Sequence, residues 1–373
     1  MKALFVLHES LFIYGSNRSI AGVLPNLEYD YDLLICKSVT RKVDEAELRQ
    51  LFGKHLKNIY TAWLPRYRCQ YYDRMSFLSE CAHLFNNIMA FLCQGRRKKV
   101  IRQGGYDYVH LNSLVLFPII DDNARYVVHA REIINPKYRR IGQFVKSMER
   151  AAGIIYIDEA TRIPMETILK NTRALVLNNP FDMRWVETID YEESLKKFGV
   201  SHDHTVFAML GQVNHNKGSK LVIRSFMHHD NPNSRLLIVG NYDHAYGREC
   251  ERMAKDDKRI IFCGEMKNTG CIYRISDYII RGDSQFCIGR TIYEGLFSGA
   301  DVIIPGHEPD LAKMQSGDEL RDKVHFYEPG NEGTLVETIQ ECSRVKQEKR
   351  EFRSNIGNYM EQYNRFIREV RKT

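Results

Sequence analysis

The chain has 373 residues, of which 43% are hydrophobic and 27% charged, with 21 Tyr and 18 Phe. That aromatic content excludes a mostly disordered chain, and the length exceeds one compact core, so two domains are expected. The formal net charge of +7 favours an anionic partner but is too modest to point to a nucleic-acid binder.

The opening MKALFVLHES is too short in apolar residues for a signal peptide and reads as a buried first strand, Lys2–Leu7. Strand patterns follow at Tyr31–Cys36, Tyr108–Leu111, Tyr126–His129, Gly153–Ile157 and Ala174–Leu177. Helical patterns lie between them at Ser16–Leu24, Asp44–Phe52, Tyr72–Leu92, Arg139–Ala152 and Glu159–Leu169. The alternation implies parallel βαβ units with both sheet faces covered. The turn residues Asn178-Asn179-Pro180-Phe181-Asp182 then mark a linker. The alternation restarts with strands Thr205–Leu210, Arg235–Val239, Arg259–Cys263, Tyr278–Ile280 and Asp301–Ile304. Helices Ser219–Met227, Tyr246–Ala254, Thr269–Ile275 and Arg290–Phe297 separate them, and a charged helical stretch, Gln347–Lys372, closes the chain. No run of about 18 apolar residues occurs, so no membrane-spanning helix is expected. The nine cysteines include no Cys-x-x-Cys pair, which argues against a zinc ribbon or disulfide framework and for reduced thiols in the cytoplasm.

Ligands of open α/β sheets bind beyond the carboxyl ends of the strands, so residues that follow strands carry the functional reading. Gly211-Gln212-Val213-Asn214-His215-Asn216-Lys217-Gly218 links a strand to a helix and sets a lysine at the helix entrance, where backbone N–H groups favour an anion. It is not a P-loop sequence, and an ordinary βα loop with a surface lysine would look similar. Gly289-Arg290-Thr291-Ile292-Tyr293-Glu294-Gly295 opens a second helix whose first N–H groups need a partner. Glu294 is suited to accept hydrogen bonds from ribose hydroxyls, as acidic residues do in dinucleotide folds, or is a solvated helix residue.

With both segments in this order, the sequence resembles the retaining, GT4-like superfamily of GT-B glycosyltransferases. The resemblance is firm after residue 180 and loose before it. It implies two doubly wound Rossmann-like α/β domains facing across a cleft: an acceptor domain over 1–180, a nucleotide-sugar donor domain over 181–346, and a helix over 347–373 packing back on the first. It implies that Lys217 grips the donor diphosphate, with Gly211 turning the chain, and that Gly289, Arg290 and Thr291 present N–H groups to the phosphates. Glu294 would hold the ribose, and Glu265 and Met266 would lie by the nucleobase. Two positions depart from the pattern. Gln212 stands where the family has a phosphate-binding arginine, and Phe286, eight residues before Glu294, stands where it has a sugar-facing glutamate.

In the first half, Tyr14-Gly15-Ser16-Asn17-Arg18-Ser19 is similar to the family's glycine-containing loop, placing Gly15 and Ser16 near the donor phosphates; simple capping by Ser16 or Asn17 is the alternative. His129 ends a strand where the family has a histidine near the reacting sugar, and His110 ends its neighbour. Arg131 and Glu132 are further candidates for acceptor or donor contact. Chemistry of this kind relies on charge stabilisation and positioning rather than a protein nucleophile, and no metal or other cofactor is implied. Asp30-Tyr31-Asp32 reads as turn chemistry. The basic run Arg96-Arg97-Lys98-Lys99 and the stretch Trp63-Leu64-Pro65-Arg66-Tyr67-Arg68 could rest on anionic lipid, at the inner face of a membrane, or be solvated loops.

The expected activity is retaining transfer of a hexose-type sugar from a UDP- or GDP-sugar to a glycan or lipid-linked glycan, in bacterial lipopolysaccharide O-antigen or capsule synthesis. The rival readings are a non-catalytic binding or scaffolding relative, a nucleotide-sugar epimerase on the same fold, and a nucleic-acid binder supported only by charge.

Overall fold

A computed structural model describes residues 1–8, 15–37, 43–68, 77–135, 137–138, 140–170, 173–286, 289–314, 320–345 and 351–372, with the side chains of 15, 16 and 77–79 left out. Tyr14, the starts of the helices expected at Tyr72, Arg139 and Gln347, and Cys69 and Cys287 lie outside the described residues. The chain forms two compact units, Met1–Pro180 with Ile356–Thr373, and Phe181–Asn355.

The first unit runs β1 (Lys2–Leu7), α1 (Gly15–Ala21), β2 (Asp30–Cys36), α2 (Glu45–Phe52), β3 (Leu56–Ala62), α3 (Phe77–Leu92), α4 (Gln94–Gln103), β4 (Tyr108–Leu111), β5 (Tyr126–Ala130), α5 (Ile141–Met148), β6 (Gly153–Tyr156), α6 (Glu159–Glu166) and β7 (Ala174–Val176). Its seven strands are all parallel, in the order β3-β2-β1-β4-β5-β6-β7. Alternate side chains of each strand serve opposite faces. Leu4, Val6, Leu111 and Val128 build one apolar cluster, and Ala3, Phe5, Leu7 and Val127 build the other. Burial on both faces is why these strands read as unbroken apolar runs.

The second unit runs α7 (Tyr191–Phe198), β8 (Thr205–Leu210), α8 (Ser219–His228), β9 (Ser234–Val239), α9 (Ala245–Met253), β10 (Ile260–Gly264), α10 (Gly270–Ile275), β11 (Tyr278–Ile280), α11 (Arg290–Phe297), β12 (Asp301–Pro305), β13 (Val324–Tyr327) and α12 (Glu332–Cys342). Its parallel order, β10-β9-β8-β11-β12-β13, reverses direction between β8 and β11. The crevice beyond the carboxyl ends of those two strands is a topological switch point.

The last helix, α13 (Ile356–Lys372), belongs to the first unit. It lays Tyr359, Tyr363, Phe366, Ile367 and Val370 on the face built by Phe5 and Val127. Gly153 of β6 admits it: a Cβ there would stand 2.7 Å from the Phe366 ring.

Five elements differ from the sequence expectation. Strands β3 and β13 and helices α4, α7 and α12 were not anticipated. In β3, Lys57 and Asn58 face solvent, which dilutes the apolar pattern of an edge strand. Asp30 and Asp32, read as turn chemistry at the start of a strand, both lie within β2. Asp32 is buried and accepts from the Asn58 amide, the Asn58 side chain and the Tyr106 hydroxyl, a structural role. The seven described cysteines Cys36, Cys81, Cys93, Cys250, Cys263, Cys271 and Cys342 are free thiols.

Candidate functional site

In the second unit, Gly211 ends β8 at φ +128°, a conformation open to glycine, and the chain turns there. Asn214 then caps a short 3-10 turn, its Oδ1 accepting from the Lys217 amide at 3.0 Å. Gly218 follows at φ +61° and starts α8. A Cβ at Gly218 would stand 1.5 Å from the Gly282 carbonyl oxygen, so the loops after β8 and β11 touch backbone to backbone. This contact brings Lys217 to the loop after β11, with its Nζ 3.8 Å from Asp283 Oδ1.

That second loop carries a pair absent from the sequence expectation. Arg281, only 2% exposed, donates from Nε to Asp283 Oδ2 at 2.7 Å and from Nη2 to Asp283 Oδ1 at 2.9 Å. Its Nη1 reaches Thr291 Oγ1 at 3.4 Å. The same Nη1 would lie 2.3 Å from a Cβ on Gly289, so the guanidinium backs directly onto the start of α11. Gly289 supplies the N-cap of α11 without a side chain, and the first N–H groups of a helix have no partner within it. The charges Lys217 and Arg281 and the α11 N-terminus thus converge at the switch point, with Asp283 holding the arginine.

Glu294 lies one turn into α11 and is 2% exposed. Its Oε2 accepts from the Tyr273 hydroxyl at 2.7 Å and its Oε1 from Arg290 Nε at 2.8 Å. The Arg290 guanidinium also lies over the Phe181 ring, 4.9 Å from its centre. Gln212 is exposed, and its Oε1 accepts from Asn214 Nδ2 at 3.4 Å. The Phe286 ring lies beneath the Lys313 ammonium, 5.3 Å away, and would crowd a Cβ on Gly306 at 3.0 Å. Exposed Glu265 and half-buried Met266 follow β10.

In the first unit, Gly15 and Ser16 begin α1. His129 at the end of β5 was expected beside a reacting sugar, but its ring is fully buried. Its Nδ1 lies 3.2 Å from Arg131 Nη2, and its ring 5.5 Å from that of His110. Burial, then the Arg131 charge and His110, hold His129 well below the usual histidine range, so it is neutral and accepts from Arg131. His110 is pushed down to about 3 by burial and then by Arg131, and meets the Tyr363 hydroxyl at 2.9 Å. Arg131 also donates to Asn112 and Asn179. Glu132 accepts from Ser113 Oγ at 2.5 Å and from the Leu114 amide at 3.0 Å, fixing the segment after β4.

The basic run is corrected at one position. Arg96, Lys98 and Lys99 are exposed on α4, but Arg97 is buried and donates to the Ala90 carbonyl at 3.2 Å. The last carbonyls of α3 lack helical partners, and Arg97 satisfies one of them. Among the described residues, no group of three His, Cys, Asp or Glu side chains could hold a metal ion.

The structure is similar over its full length to solved structures. HepE from Anabaena, in complex with UDP and glucose, superposes with a TM-score of 0.68 at 14% identity, over 100% of this chain and 97% of that one. Sucrose-phosphate synthase from Thermosynechococcus elongatus gives 0.68 at 13% identity, over 100% and 94%. The apo form of the lipopolysaccharide outer core galactosyltransferase WaaB gives 0.61 at 14% identity, over 99% and 99%. The chain has the GT-B fold. No family model and no curated protein sequence matches it.

Within this GT-B chain the cationic group at the switch point is suited to a diphosphate. Lys217, the Arg281–Asp283 pair and a helix N-terminus meet there, and the two cations outnumber the one carboxylate. Arg281 escaped the sequence reading because no phosphate motif surrounds it. The available signal was an arginine and an aspartate two residues apart, directly after an apolar strand.

Proposed function

We propose that this protein is a glycosyltransferase that moves a hexose-type sugar from a UDP- or GDP-sugar to an acceptor hydroxyl with retention at the anomeric carbon. The observation that carries the reading is the Gly218–Gly282 contact, which sets Lys217 beside the Arg281–Asp283 pair and the α11 N-terminus. In this reading Lys217 and the N–H groups at Gly289–Thr291 hold the diphosphate. Arg281 supplies, from beneath, the positive charge that Gln212 no longer provides. As the sugar leaves, these groups stabilise the charge that grows on the departing diphosphate, and a diphosphate oxygen takes the acceptor proton. Glu294 receives the ribose hydroxyls, and Glu265 and Met266 border the base. UDP is favoured over GDP because HepE is seen with UDP.

His129 acts as a positioning residue through Arg131. We place the acceptor among lipid-linked glycans of bacterial surface polysaccharide synthesis, lipopolysaccharide O-antigen or capsule, at the inner face of a membrane. The galactosyltransferase WaaB supports that choice of acceptor class. The domain roles follow: acceptor binding by 1–180, donor binding by 181–346.

A second reading, a non-catalytic relative, is favoured by Phe286, an aromatic ring where a sugar-facing carboxylate is expected. Calorimetric titration with UDP and GDP, without metal, on the parent chain and on Lys217→Ala and Glu294→Ala tests the donor site. Binding of one nucleotide that both substitutions abolish is expected. Absence of binding by both nucleotides overturns the assignment. Binding without release of UDP from any UDP-hexose, with acceptor present, favours the second reading.

A further inference from the structure

We propose that the α3–α4 hairpin of the first unit is a surface that lies on an anionic lipid membrane, with the outer stripe of α3 entering the headgroup–acyl boundary. This deepens the peripheral placement proposed above by naming the surface that makes the contact. It does not require the sugar-transfer reading.

Helix α3 is inside out for a water-soluble domain. Its buried positions include Asn86, 2% exposed, whose Nδ2 donates to the Leu64 carbonyl at 2.9 Å. Asn87 beside it zips to the backbone of Arg66, accepting from its amide at 2.9 Å and donating to its carbonyl at 3.0 Å. The opposite side carries Leu84, Phe85, Ile88, Phe91 and Leu92, exposed by 63, 48, 48, 71 and 68%. At about 100° per residue these five span an arc of about 120°, one continuous stripe along the helix. Solitary exposed apolar residues are ordinary, but a contiguous stripe of five large ones marks an interaction surface. The asparagine contacts fix the helix about its own axis, so the stripe is held outward by hydrogen bonds on its reverse.

Charge chooses the occupant. Arg96, Lys98 and Lys99 are exposed immediately after Phe91 and Leu92, and α4 holds no acidic residue. A second copy docking through the same stripe would bring two such basic clusters together. An anionic lipid surface complements them instead. Trp63, half-buried with its ring 5.9 Å from that of Phe85, adds the residue type favoured at a membrane interface. No described helix is long and apolar enough to cross a membrane, so the hairpin lies in the interface plane.

The test is co-sedimentation of the full chain with vesicles of phosphatidylcholine alone and of phosphatidylcholine mixed equally with phosphatidylglycerol. Binding to the mixed vesicles, weakened by high salt, is expected. Both Phe91→Ser/Leu92→Ser and Arg96→Glu/Lys98→Glu/Lys99→Glu are expected to lower the partition coefficient at least about tenfold. These side chains are exposed, and unchanged circular dichroism and UDP titration would show that the fold and donor site are intact. A parent chain that stays in the supernatant with both vesicle types overturns the proposal, as does binding that neither variant weakens. Sedimentation equilibrium giving a dimer that Phe91→Ser/Leu92→Ser dissociates would assign the stripe to a second copy and also overturn it. Failure here with UDP binding retained leaves the donor site standing, and the converse result separates the two equally.

Discussion

Gly218 and Gly282 approach so closely that a single methyl group on Gly218 would overlap the Gly282 carbonyl. The backbone at Gly218 is also left-handed, where an alanine is strained. Gly218→Ala is therefore expected to cost about 3 kcal/mol or more and to separate Lys217 from the loop after β11. Urea unfolding and UDP titration should show both losses together. A stable variant with normal binding would mean that the contact yields without consequence.

The Arg281–Asp283 pair predicts a separation of stability from binding. Asp283→Ala leaves a buried guanidinium without its partner and should cost about 3–5 kcal/mol. Replacing both, as Arg281→Met/Asp283→Leu, should recover much of that stability, because an apolar pair of similar size suits a buried site. It should not recover UDP affinity, since the charge beneath the α11 N-terminus is gone. Recovery of both would make the pair purely structural.

Two buried neutral histidines predict an acid-sensitive first unit. The unfolded chain protonates histidine near pH 6.5, whereas His110 in the fold resists protonation down to about 3 and His129 is also lowered. Between those values the unfolded state binds more protons, so stability is fully present above about pH 6.5 and falls as the pH drops. Each histidine contributes a slope of about 1.4 kcal/mol per pH unit. Urea midpoints measured from about pH 7.5 to about pH 5 should fall for the parent chain and more shallowly for His110→Gln. An unchanged slope would place the acid sensitivity elsewhere.

Phe286 offers a gain-of-function test. Phe286→Glu puts a carboxylate where the family pattern has one, within reach of Lys313. UDP release from UDP-glucose is expected to rise several-fold if the ring is what limits use of a neutral hexose. No rise, with the nucleotide still bound, would mean that the ring belongs to a different donor sugar.

The parts of the fold legible from sequence were those buried on both sides. Strands β1, β4, β8 and β11 read as mostly apolar runs because both faces of a sheet centre are covered, and the one histidine among them, His110 of β4, is met there by the Tyr363 hydroxyl. Edge strands β3 and β13 and the charged helix α7 were missed, since one of their sides meets water and their patterns blur. In the site, spacing drew attention to Lys217, Gly289 and Glu294, each beside a glycine or a helix start. Arg281 could not be reached that way, because its place under Gly289 is set by a three-dimensional approach between loops. The stripe on α3 was hidden for a related reason: an apolar helix face reads as core until its partner asparagines show which side is inward.

The first unit is discontinuous, and this sets an order of events during synthesis. The chain leaves it at Pro180, builds the contiguous second unit, and returns at Ile356. Domains fold as their residues emerge, so the second can close while the first still lacks α13. Until Tyr359 and Tyr363 arrive, the sheet face around Phe5, Tyr108 and His110 has no lid. A nascent chain stalled before Ile356 would carry one finished half and one open apolar face, a substrate for chaperones and proteases rather than a half-working protein.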